Sequence, residues 1–109
     1  MEPVVLHQAG PLPIKTTVRW PSSNLVTVAM SGSARAQNPN TMVAVDITIS
    51  SEKIGTMQIF ANQAQVHLAL PDAFIATQGG FGEFPLTLTA ANSNTITDEN
   101  DIFTVALIY

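Results

Sequence analysis

Few residues in this 109-residue chain have types suited to chemistry, and the densest group of them is one short run near the C-terminus. In TITDENDIF, Asp98, Glu99, Asn100 and Asp101 stand consecutively before an apolar stretch. Calcium takes about six to eight oxygen ligands, drawn from carboxylates, amides and backbone carbonyls around a turn. Asp98, Asn100 and Asp101 are therefore the candidate metal ligands, and calcium the candidate ion. The spacing is not that of an EF-hand, whose loop closes on a glutamate absent here. The same residues also form side-chain turns and keep a hairpin tip solvated without any ligand.

A second constellation surrounds the single tryptophan, in TVRWPSSN. An indole at a sheet rim, with Arg19 and Asn24 beside Trp20, has the make-up of a small-ligand site: an apolar plate and a few hydrogen-bonding groups. A sugar fits that description, and a buried tryptophan with its N–H on a carbonyl is the bland alternative. In QGGFGEFP the glycines allow a wide loop, and Phe81 and Phe84 either tuck back or mark a contact surface. No Gly-Lys-Ser/Thr ends that loop, so it is not a phosphate loop. His7 and His67 are the only histidines, too far apart in sequence to make a metal motif. With no cysteine and no Gly-x-Ser-x-Gly elbow, neither a thiolate site nor a hydrolase nucleophile is visible. A non-enzymatic protein is expected.

The elements that must position these residues are strands. TMVAVDITIS alternates Val43, Val45, Ile47 and Ile49 with Met42, Ala44, Asp46 and Thr48, and NLVTVAMS, QVHLAL and FPLTLTA do the same. MQIFANQAQ alternates as well as it spirals and is also taken as strand. Turn chemistry breaks the pattern at GPLP, WPSSN, QNPN, PDA, QGGFG and ANSN. Seven to eight strands over residues 1–109 predict one all-β domain, a jelly-roll-like antiparallel β-sandwich.

Only 11% of residues are charged, against about 25% in an average domain. Lys15, Arg19, Arg35 and Lys53 are scattered, which disfavours nucleic acid as a partner. No apolar run reaches the roughly 20 residues of a membrane helix, and MEPVVLHQAGPLPIK lacks the pattern of a signal peptide. A neutral polar surface of this kind suits the cell exterior or a particle surface.

The last strand, DIFTVALIY, is apolar on both faces. A short roll ending in FTVALIY after LTLTAANSNTITDENDI resembles the C1q and tumour-necrosis-factor class of trimerising domains. That resemblance implies a C-terminal strand in the middle of a sheet, contributing to a trimer contact. Phe103, Val105, Leu107 and Tyr109 are then the expected interface. Two functions are carried forward: a self-associating, carbohydrate-binding module, or a structural part of a particle or spike.

Overall fold

Strict alternation sends every second side chain of a strand to one side, so a chain of such strands must bury one face of each sheet against another. The computed structural model describes residues 3–22 and 24–109. Among them are nine strands and no helix: β1 (Val4–Ala9), β2 (Ile14–Arg19), β3 (Leu25–Ala36), β4 (Thr41–Ile49), β5 (Glu52–Ala61), β6 (Leu68–Gln78), β7 (Glu83–Ala90), β8 (Thr95–Ile96) and β9 (Ile102–Ile108). One sheet runs β1-β9-β3-β6, with the two-residue β8 paired to the end of β3, and the other runs β2-β7-β4-β5. Every pairing is antiparallel. Setting β8 aside, this is the eight-stranded order of a jelly roll.

The core lies between the sheets. Val26, Val28 and Met30 of β3 and Phe103, Val105 and Leu107 of β9 meet Phe84, Leu86 and Leu88 of β7 and Val43, Val45 and Ile47 of β4. Each fully buried side chain of this size contributes about 1.5–3 kcal/mol by leaving water. This placement corrects the expected interface. Phe103, Val105 and Leu107 are at most 1% exposed and belong to the core, because β9 is a central strand whose alternate residues face the opposite sheet. Only Tyr109 of that set reaches the surface. The outward positions of β9 are Ile102, Thr104, Ala106 and Ile108.

Three local expectations shift. PDA does not break a strand: β6 is an edge strand, and Pro71 and Asp72 fall where its register with β3 slips, a place that tolerates proline. A turn absent from the expected set joins β4 to β5 through Ser50 and Ser51, both at positive φ (51° and 69°), as a two-residue hairpin of the primed type requires. Val66, an apolar position in the alternation of QVHLAL and so expected to face inward, precedes β6 and is exposed, and MQIFANQAQ is strand only as far as Ala61.

Strand direction sorts the connections to two ends. The β2–β3 and β6–β7 loops share one end with the finish of β9; the β3–β4 and β5–β6 loops and residues 91–101 share the other. The twelve residues of β3 separate them by roughly 35 Å.

Candidate binding site

At the first end, the chain leaves β2 at Arg19 and crosses to the other sheet through Trp20 and Pro21. Two backbone hydrogen bonds tie that crossing to the β6–β7 loop: the Trp20 amide donates to the Gly82 carbonyl (2.8 Å), and the Gly79 amide to the Asn24 carbonyl (2.9 Å). The Trp20 indole lies on buried Phe84, with ring centroids 4.2 Å apart and planes tilted by 37°. Gly80 covers the indole edge so closely that a β-carbon there would sit 2.8 Å from Nε1. Trp20 is thus half-buried, and the loop can lie on it only because residue 80 has no side chain.

Beyond it the same loop carries Phe81 into solvent, 100% exposed. Of the two phenylalanines in QGGFGEFP, Phe84 tucks into the core and Phe81 does not. Between the loops lies an open cleft of about 920 Å³, whose walls include Arg19, Trp20, Ser22, Asn24, Gln78 and Phe81. Arg19, Trp20 and Asn24, the expected ligand-binding group, are therefore brought together. The exposed aromatic plate is Phe81 more than Trp20, and Gln78 joins from the end of β6. The glycines around Phe81 were the one sequence signal for its exposure.

The acidic turn occupies the opposite end. Asp101 is fully buried, and its carboxylate is hydrogen-bonded throughout. Oδ1 accepts from Ser33 Oγ (2.6 Å) and His67 Nδ1 (2.8 Å), and Oδ2 from the Asp98 amide (2.9 Å). Asp98 in turn accepts from the Asn100 amide at 2.8 Å and pairs with the Arg35 guanidinium. These two donors, the Asn100 amide first and Arg35 next, hold the Asp98 carboxyl below its ordinary value. Arg35 Nε also donates to Gln65 Oε1 (3.0 Å).

His67, Asp98 and Asp101 each offer a ligand atom, all within 4.8 Å of one another. Asn100, expected as a ligand, instead contributes its backbone amide and is exposed. The set does not fit a resident calcium as it stands. Arg35 already supplies the positive charge, one donor is an imidazole where calcium prefers oxygen, and no buried side-chain polar atom among the described residues lacks a partner. The roles of Ser33, Arg35 and His67 had no signal in the sequence, since they come from β3 and the segment just before β6. His7 takes no part and hydrogen-bonds Thr104 Oγ1 (2.9 Å) on an outer sheet face.

No protein-family model and no curated protein matches the chain. Solved structures do. A CBM36-1 domain of a multidomain xylanase from the hindgut metagenome of Trinervitermes trinervoides aligns at TM-score 0.50 and 19% identity, over 93% of this chain and 73% of that one. A carbohydrate-binding module CBM36, solved in complex with calcium and xylotriose, aligns at TM-score 0.45 and 11% identity, over 94% and 76%. Identity this low makes the first a likeness of fold. It supports the β-sandwich and narrows the C1q-type resemblance to that architecture.

Proposed function

We propose that the chain is a non-catalytic carbohydrate-binding module whose site is the cleft between the β2–β3 and β6–β7 loops. One observation carries the reading: a fully exposed phenylalanine at the mouth of a cleft walled by Arg19, Ser22, Asn24 and Gln78. An aromatic face packs on the C–H face of a sugar ring, while neutral amides and hydroxyls bond its hydroxyl groups. The jelly-roll likeness to a xylanase's carbohydrate-binding domain agrees with it, and a position outside the cell or on a particle suits such a role. A glycan array probed with and without EDTA tests the reading. The wild type should bind a glycan in both conditions, and Phe81→Ala should bind it more weakly. An array silent in both conditions would refute it, and binding lost in EDTA would move the site to Asp98 and Asp101.

Self-association is a second reading, favoured by the outer face of the β1-β9-β3-β6 sheet. Val4, Ala106, Ala29 and Phe74 lie side by side across four strands with no charge among them, Val4 and Phe74 being 59% and 67% exposed. Uncharged apolar faces of this kind are used between subunits. Light scattering should give a multiple of the 11.6 kDa chain mass, a trimer by the expected resemblance, and Phe74→Lys a monomer. A wild type that stays monomeric at high concentration would end it.

A further inference from the structure

A second cleft, of about 370 Å³, opens at the same end, where the edge strands β1 and β2 part. Core side chains Val18 and Leu107 line it together with half-buried Val5, and exposed Thr17 and Tyr109 stand at its rim. Arg19, Trp20 and Pro21 line both clefts, so the two meet along one crossing segment.

We propose that the two clefts form one bipartite site, and that its ligand is a sugar carrying an apolar aromatic substituent. This rests on the sugar reading of the first cleft. The clefts differ in what they can satisfy. The first offers Ser22, Asn24 and Gln78 to hydroxyl groups; the second offers mainly Val5, Val18 and Leu107, where a sugar hydroxyl would lose its water without gaining a partner. An aromatic ring has no such group to satisfy, and a cavity of about 150 Å³ already accommodates benzene. The second cleft holds a ring and its linking atoms but not a helix, which is about 10 Å across. Arg19, which enters no ion pair among the described residues, stands at the junction, where a guanidinium stacks on an aromatic face.

Calorimetric titration with paired methyl and 4-nitrophenyl glycosides of xylose, glucose, galactose and mannose tests this. For the sugar that binds, the nitrophenyl form should be tighter by about 10-fold, the yield of burying part of one ring. Val5→Phe, which fills the second cleft, and Tyr109→Ser, at its rim, should each bring the two affinities together in protein shown by circular dichroism to be folded. Phe81→Ala should weaken both. Equal wild-type affinities, or an aromatic preference that survives Tyr109→Ser, would overturn the proposal and leave the sugar reading intact. Binding of 4-nitrophenol with no affinity for any methyl glycoside would overturn the sugar reading and leave an aromatic site. No binding by any probe would overturn both.

Discussion

The two ends of the sandwich put their polar groups to opposite uses. Around Asp101, a buried carboxylate, a serine, a histidine, an arginine and two turn amides bond one another, and Arg35 offsets the charge of Asp98. Around Phe81, amides and hydroxyls line an open cleft while an aromatic ring stands in water. Polar groups that satisfy one another hold a fold in one arrangement; polar groups left facing a cleft, beside exposed apolar surface, are available to something else. The acidic end, which has the more obvious chemistry in sequence, is thus the one whose polar groups are already paired with one another. Substitutions that separate stability from binding can break or sharpen this contrast.

The largest effect should come from Asp101→Ala. It strands Ser33 Oγ, His67 Nδ1 and the Asp98 amide, and the loss of a buried, hydrogen-bonded carboxylate costs about 3 kcal/mol. Urea denaturation should show a lower midpoint at unchanged slope, while the folded fraction still binds glycan. A loss below about 0.5 kcal/mol would mean the network is incidental.

Next in size is Gly80→Ala, at the other end. The new methyl would meet the Trp20 indole at 2.8–3.1 Å, and Phe84 behind the ring restricts its retreat. Overpacking of this kind costs about 1 kcal/mol or more. Because Trp20 is the only tryptophan, its emission should shift as the ring is pushed toward solvent. Unchanged fluorescence and stability would show that the loop does not rest on the indole.

The contrast between the ends was only half legible in the sequence, for a physical reason. Alternation reports local facing, and it correctly sent Val45 and Leu88 inward and left Thr87 outward. It could also gather Arg19, Trp20 and Asn24, which are neighbours in the chain. Burial of Asp101 depends on Ser33 and His67, 68 and 34 positions away, and periodicity carries nothing about such pairings. Turn chemistry failed where context overrode it: Ser50–Ser51 turns without Gly, Asn or Pro, while Pro71 stays in a strand because its edge has no partner to require an N–H. The apolar C-terminal strand was misleading in the same way. The strand is central, as expected, but Phe103, Val105 and Leu107 face the opposite sheet, and the outward side is Thr104, Ala106 and Ile108.

A smaller effect is expected from pH at Asp98. Its carboxyl is held below the ordinary value by the Asn100 amide and Arg35, so it favours the folded state only while ionised. That contribution is complete above the unfolded carboxylate value and is lost as pH falls below about 4 toward the folded one. Asp98→Asn should therefore be less stable than wild type at neutral pH, with the gap closing in acid. A gap that widens as pH falls from about 5 to 2 would contradict the assignment.

The smallest effect on stability belongs to Phe81→Ala, which gives the contrast its sharpest form. The ring is fully exposed, so its removal surrenders no buried area, and the unfolding midpoint should stay within about 0.5 kcal/mol of wild type. Packing on a sugar would bury part of that ring, and its loss should weaken glycan binding by about 1–2 kcal/mol, roughly 5- to 30-fold. Asp101→Ala is expected to do the reverse, so the two variants form a crossed pair read by one denaturation curve and one titration each. If Phe81→Ala destabilises the fold as much as it weakens binding, the ring packs on the protein in solution and the cleft loses its plate. If it alters neither, an exposed phenylalanine in a glycine-rich loop has no part in recognition, and the uncharged face around Phe74 becomes the surface on which the protein acts.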